Sequence, residues 1–223
     1  MAVLKVADIM VGYMKDVWGN SSQVPGKVYP EFHKIIPRSE KEMLLKQRAR
    51  VIWLTGLSGS GKTTLGSYLE KELFSMGYLT QMLDGDNIRT GINCNLAFTE
   101  EDRRENIRRI AEVSKLFLNC GIVVISCFIS PTQEIRKMAR SIIGEEDFLE
   151  VYVNAPLDVC EQRDVKGLYK LARDGKIKDF TGIDSPFEVP VSCDLEIRTD
   201  LLTVDESARK LLNVVLPRIR NGR

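Results

Sequence analysis

The run Gly56-Leu-Ser-Gly-Ser-Gly61-Lys62-Thr63 follows the hydrophobic segment VIWLT (51–55) and opens a stretch of helical spacing. This is G-x-x-x-x-G-K-[ST] in a strand–loop–helix context, a cradle for nucleotide phosphates. Its glycines let successive backbone N–H groups converge on phosphate oxygens, and the helix start adds its positive dipole end. Gly56, Ser58, Gly59, Ser60, Gly61, Lys62, Thr63 and Thr64 form the candidate ATP site. Lys62 is placed to reach the β- and γ-phosphates, and Thr63 to offer its hydroxyl to Mg²⁺. A second cluster is Asp84-Gly-Asp86-Asn-Ile-Arg89. A kinase needs a carboxylate near the acceptor hydroxyl and cations for the acceptor's own charge. Gly85 allows a sharp turn that aims both acids into one cleft. Asp86 is the candidate to orient or deprotonate the hydroxyl, Asp84 to hold Mg²⁺ through water, and Arg89 to bind an anionic acceptor. Asp84 reads equally as a helix N-cap, and the two roles can coexist.

Two absences narrow the reaction. No Asn/Thr-Lys-x-Asp motif of the GTPase kind is present, and the buried run IVVISCF (122–128) continues into Ile129-Ser130-Pro131 rather than ending in the acid of a motor-type ATPase. A small-molecule kinase is the class that remains. The segment EEDRRENIRR (100–109) holds four acids and four arginines. The ordinary reading of such a run is a solvated helix laced with i,i+4 pairs, and Arg104, Arg108 and Arg109 stay open between that and the site. Arg103, near the helix start, is expected to face the DGD turn.

The elements that must position these groups alternate. VIWLT (51–55), LTQML (79–83), IVVISCF (122–128), FLEVYV (148–153) and DLEIRT (194–199) read as strands. Helical spacing marks 63–76, a segment capped by Thr99, one through Ile135, Met138, Ala139 and Ile142, one starting at Pro156, and 204–216. Such alternation predicts an α/β fold of the P-loop kind, three α/β/α layers around a mostly parallel sheet of about five strands. Residues 48–223 are expected as that domain. Within it, the charged, Gly-dotted stretch 163–190 lacks core periodicity and is expected as a lid hinged near Gly167, Gly175 and Gly182. Residues 1–47 read as an extension: an amphipathic helix or loose arm over 1–18, a turn-rich break at 19–26, and a short helix over 39–47 opened by a Ser39-x-x-Glu42 capping box. The arm is too polar to span a bilayer and lacks the basic face of a membrane-surface helix.

Composition excludes other classes. The 223 residues carry 32 Lys+Arg against 31 Asp+Glu, a balance unlike that of a general nucleic-acid binder. Five dispersed cysteines with no C-x-x-C pair, and His33 as the single histidine, give no zinc site and indicate reduced thiols in a reducing compartment.

Taken in order, GLSGSGKTT, LDGDNIR, FTEEDRRENIRR, FISP, CEQRDVKGLY and FTGIDSPFE resemble the adenylylsulfate kinase (APS kinase) family, over roughly Ser39 to the C-terminus. The resemblance implies phosphorylation by ATP of the ribose 3′-hydroxyl of adenosine 5′-phosphosulfate (APS), giving PAPS. It implies Mg²⁺, and a homodimer in the cytoplasm with no nucleic-acid or membrane partner. Position by position it implies Asp86, Lys62 and Ser130 as the catalytic set. Asp86, Arg89, Phe98, Arg103, Asn106, Ile129, Ser130, Lys166 and Phe180 are implied to hold APS, with Phe98 and Phe180 on either side of its adenine. Arg163 is implied near the ATP adenine, and Thr63 and Asp84 at the metal. Thr90, Cys94 and Ala97 depart from the common pattern, and residues 1–30 have no counterpart in minimal members. Two other readings stand beside this one: a kinase of the same fold acting on another 5′-modified nucleotide such as a cytidine diphosphoramidate, and a non-catalytic nucleotide-binding or regulatory domain. The intact Lys62, Asp86 and Arg89 argue against the last.

Overall fold

In the computed structural model of the chain, residue 31 and residues 34–221 are described. The expected arm over 1–18, the break at 19–26 and His33 lie outside the described residues. The chain divides into two units after Ile36, and the second, Pro37–Arg223, holds the sheet.

β1 (Val51–Thr55) is buried along its whole length, as an unbroken apolar run requires of a strand covered on both faces. It is the middle of five parallel strands in the order β2-β3-β1-β4-β5, with β2 (Thr80–Asp84), β3 (Val123–Cys127), β4 (Phe148–Asn154) and β5 (Leu195–Arg198). Ile52 sits opposite Ile125 of β3 and Leu149 of β4. The helices are α1 (Arg38–Leu45), α2 (Lys62–Ser75), α3 (Gly85–Thr90), α4 (Glu100–Asn119), α5 (Gln133–Ile143), α6 (Leu157–Arg163), α7 (Leu168–Arg173) and α8 (Val204–Ile219).

Side chains alternate across β1 and so divide the core in two. Ile52 and Leu54 pack with Leu65, Leu69 and Leu73 of α2 and with Leu211, Val215 and Ile219 of α8. Val51 and Trp53 face the other way, onto Ile107 and Ile110 of α4 and Ile135 and Ala139 of α5. The three-layer arrangement expected from the alternation is the one observed. Because all strands are parallel, their C-terminal ends share one edge, where open α/β sheets bind ligands. The loops carrying the motifs leave from that edge. Among the described residues no helix is long and apolar enough to cross a membrane.

Three local expectations are corrected. The capping box at Ser39 does not form: α1 starts at Arg38 after Pro37, with no side-chain cap. The Glu42 carboxylate instead accepts from Arg38 Nε and from the Ala49 N–H, both at 2.8 Å. α8 does carry a capping box, with Thr203 and Glu206 satisfying each other's backbone N–H groups, and it runs past Leu216 through Pro217 to the buried Ile219. Finally, the stretch from 163 is not without a core. α7 buries Tyr169 and Ala172, which join Ala155, Cys160 and Phe180 in a third apolar cluster. Six residues are too few to display a helical period in sequence.

Residues 38–47 are tied to the domain body. Gln47 is fully buried, and its amide donates to the carbonyls of Leu79 (3.0 Å) and Gly121 (2.8 Å) and accepts from the Leu79 N–H.

The closeness of α2 to the sheet is testable. A Cβ at Gly66 would lie 2.5 Å from Cys127 Sγ and 3.2 Å from Met82 Cε. Gly66→Ala should therefore lower unfolding stability by about 1–2 kcal/mol, although alanine is the better helix former by about 1 kcal/mol. Adding Cys127→Ala should recover part of the loss in a denaturant titration. A Gly66→Ala chain as stable as the parent would contradict this packing.

Candidate active site

The phosphate loop joins β1 to α2 and is pressed against its neighbours. Gly56, at φ +152°, has no room for a side chain: a Cβ would stand 2.3 Å from the Val153 carbonyl oxygen of β4. Gly59, at φ +74°, would collide with the Cys160 carbonyl of α6 at 2.9 Å. The Ser60 hydroxyl is buried within the loop with no hydrogen-bond partner. Lys62, in the first turn of α2, is 8% exposed, and its ammonium donates to the Gly56 (3.0 Å) and Leu57 (2.7 Å) carbonyls. Burial pushes it down to about 8 from the usual lysine range. Behind it, burial pushes the Cys127 thiol up to about 12, so the thiol stays protonated as a weak donor to the Lys62 carbonyl.

One residue on, Thr63 and Thr64 are exposed. The Thr63 hydroxyl donates to Asp84 Oδ2 at 2.8 Å. Asp84 ends β2, and its Oδ1 accepts from the Asp86 N–H at 3.1 Å, so it also caps α3. The N-cap reading of Asp84 is the one observed: one oxygen closes the turn and the other meets the phosphate-loop threonine. The Asp86 carboxylate stands exposed two residues further and is bridged by the ammonium of Lys166 from the link between α6 and α7.

The arginines divide as burial and pairing dictate. Arg108 and Arg109 both bond Glu105, and with Arg108 leading they hold its carboxyl down to about 2. Arg104 reaches Glu134 at 3.3 Å. Arg108 and Arg109 follow the laced-helix reading through Glu105, whereas Arg104 pairs across to α5 and Arg109 also donates to Ile92 O and Asn95 Oδ1. Arg89 donates to the Leu96 and Ala97 carbonyls and lies 4.3 Å over the ring of Phe98, which is 54% exposed. Arg103 does not contact the DGD turn. Its Nε donates to the Phe98 carbonyl (2.8 Å), and its two Nη atoms reach Thr181 Oγ1 (3.0 Å) and the Asp179 carbonyl. It therefore stitches the backbone at Phe98 to the residues on both sides of Phe180. The Phe180 ring itself is packed inward, edge-on to Tyr169 with centroids 5.0 Å apart. Asn106 is buried and accepts from Asn93 at 2.9 Å, bracing the 91–98 loop against α4.

The Ile129-Ser130 turn sits against the phosphate-loop strand, where Thr55 donates to the Ile129 carbonyl at 2.7 Å. Ser130 has φ +44° and is 1% exposed. Its hydroxyl accepts from Trp53 Nε1 (2.9 Å) and lies 3.3 Å from the Phe128 carbonyl, while its own carbonyl accepts from Arg136 at 2.7 Å. Ser130 is thus set as a buried support, and a reacting hydroxyl would first have to leave Trp53. Arg163 lies at the outer rim of the phosphate loop, donating to Gly59 O (3.3 Å) and Thr199 O (2.7 Å).

Sequence reasoning missed Thr199 and Tyr169. Thr199 follows the last strand at the ligand edge, a position that could have drawn notice, and its hydroxyl donates to the Ser60 carbonyl at 2.8 Å. Tyr169 donates to the Ser58 carbonyl at 2.9 Å, and nothing in a lone tyrosine signals that.

The family model for adenylylsulphate kinase matches residues 48–198. An adenylyl-sulfate kinase of Bacteroides fragilis is 58% identical over 192 residues, 86% of this chain and 95% of that one. A Mycobacterium tuberculosis APS kinase solved in complex with AMPPNP and APS is similar at TM-score 0.73 and 43% identity, over 76% of this chain and 98% of that chain. A hexameric APS kinase from Thiobacillus denitrificans is similar at TM-score 0.58 and 26% identity, over 77% of this chain and 29% of that chain.

The lowered Lys62 has a consequence for ligand binding. A bound polyphosphate favours the ammonium form, which in the free protein is half lost near pH 8. Nucleotide affinity should fall as pH rises from about 7 to about 9.5, with proton uptake on binding seen by calorimetry in buffers of different ionisation heat. Lys62→Arg should remove that dependence, since arginine stays charged throughout. A flat affinity in the parent chain would contradict the assignment.

Proposed function

The chain belongs to the adenylylsulphate kinase family, and on that premise we propose that it transfers the γ-phosphoryl group of ATP to the 3′-hydroxyl of APS, giving PAPS and ADP. The observation that carries the reading is the Thr63–Asp84 bond at 2.8 Å. It joins the phosphate loop to the DGD turn, and Asp86, the proposed acceptor carboxylate, lies two residues beyond Asp84 in that turn.

The transfer itself asks little covalent chemistry of the protein; positioning and charge neutralisation supply the rate. The loop amides and Lys62 hold the β- and γ-phosphates. Thr63 and Asp84 are the residues that would hold Mg²⁺. Their paired oxygens suit a hard cation, and no group of three or more His, Cys, Asp or Glu gathers among the described residues, so most ligands would come from phosphate and water, as is usual for this ion. When bound, Mg²⁺ neutralises charge on the transferring phosphoryl group. APS lies across the C-terminal strand ends. Arg89 and Arg103 flank Phe98 there and meet the acceptor's charge and its adenine, with the Phe180 segment brought alongside by Arg103. Asp86 orients the 3′-hydroxyl and accepts its proton as the bond to phosphorus forms. Lys166 brings a lid cation to the same carboxylate, and Arg163 borders the nucleotide. Ser130 supports the turn from beneath rather than reacting. Closing 163–190 excludes water, the competing acceptor. The same reading extends to a homodimer in the cytoplasm; self-association in a hexameric relative is in keeping with it.

ADP release measured with ATP and Mg²⁺ should depend on APS. Activity with a cytidine diphosphoramidate but none with APS would reassign the acceptor. Asp86→Ala should lower kcat by roughly 10²–10⁴-fold, the range for loss of a general base, while ADP affinity stays within about threefold because the loop is untouched. Near-parental turnover in that variant would remove Asp86 from the mechanism.

A further inference from the structure

The stretch 163–169 touches both halves of the site. Arg163 donates to Gly59 of the phosphate loop, Lys166 bridges Asp86 on the acceptor side, and Tyr169 reaches both at once. The tyrosine is 2% exposed. Its hydroxyl donates to the Ser58 carbonyl of the phosphate loop at 2.9 Å, while its ring meets Phe180 edge-on at 5.0 Å and 76°. Its backbone is held as well. The Asp164 carboxylate accepts from the Tyr169 and Lys170 N–H groups, both at 3.1 Å, at the start of α7. Phe180 has little freedom of its own, since Arg103 grips the residues on both sides of it. Tyr169 is thus a single rigid side chain between a donor-site carbonyl and an acceptor-site aromatic.

We propose that Tyr169 is a positioning residue that couples the two substrate sites, so that nucleotide on the phosphate loop tightens APS binding and APS tightens nucleotide binding. The proposal rests on the reading that APS is the acceptor. Nucleotide phosphates fix the loop that carries the Ser58 carbonyl. A fixed Ser58 fixes the phenol, and the phenol fixes the edge on which Phe180 rests. The ordering cost is then incurred once for both ligands, which is a reciprocal coupling between sites.

The test uses the full chain and calorimetry with ADP·Mg²⁺ and APS, a pair that cannot react. Each Kd is measured alone and with the other ligand saturating. In the parent, each ligand should tighten the other by about fivefold or more. Tyr169→Phe keeps the ring and removes the hydroxyl. It should bring that factor close to one, a loss of about fivefold on the scale of one neutral hydrogen bond, while the Kd of ADP alone stays within about twofold. Tyr169→Leu should in addition weaken APS alone, because Phe180 loses its neighbour. A parental coupling factor in Tyr169→Phe would overturn the proposal. So would a fall in both single-ligand affinities with an unchanged factor, the mark of a merely structural residue. A parent chain that binds APS with no coupling to ADP overturns this inference alone. A parent chain that does not bind APS overturns the acceptor reading and this inference with it.

Discussion

The site depends on how tightly the phosphate loop is seated between β4 and α6. At Gly56 a single Cβ would fall 2.3 Å from a β4 carbonyl oxygen, and at Gly59 it would fall 2.9 Å from one in α6. Only a backbone free of side chains can pass there. The consequence is a loop whose carbonyls point to fixed partners. Gly56 and Leu57 take the Lys62 ammonium, Ser58 takes Tyr169, Gly59 takes Arg163, and Ser60 takes Thr199. The loop's own geometry, its ties to Arg163 and Tyr169 and the burial that pulls Lys62 down to about 8 all stem from that seating.

Around this anchor the charges are arranged by segment rather than by total. The chain is nearly neutral, yet 163–180 holds six Lys/Arg against three Asp. Lys166 from this cationic stretch meets Asp86. On α4 the pattern differs: Glu105 neutralises Arg108 and Arg109 within the helix, while Arg103 and Arg89 donate to backbone carbonyls at Leu96, Ala97 and Phe98.

Much of the fold and part of the site were legible in the sequence because their causes are local. The strand–loop–helix context of Gly56–Thr63, the unbroken apolar run of β1, the Asp84 cap and the Thr99 cap each involve residues close together in the chain. The two capping boxes show where that logic stops. Ser39-x-x-Glu42 and Thr203-x-x-Glu206 read alike, but Glu42 has a competing arginine and a free N–H at Ala49, and only Glu206 is left to its own helix. Two of the three partners of Arg103 lie 76 and 78 residues away, and the carbonyl that receives Tyr169 lies 111 residues away. No period or spacing encodes such contacts. They exist because parallel strands deliver distant loops to one edge. Ser130 illustrates the converse: its motif pointed to the site, while its environment, Trp53 on one side and Arg136 on the other, points to support.

On the proposed function, the loop and the DGD turn together direct a phosphoryl group to one hydroxyl of APS. Phosphorus NMR of the chain with ATP, Mg²⁺ and APS tests it most directly. The expected result is ADP together with a new phosphomonoester signal coupled to the ribose H3′ proton, in equal amounts. ATP left intact, orthophosphate appearing in its place, or a phosphate carried anywhere but the 3′-oxygen would contradict it.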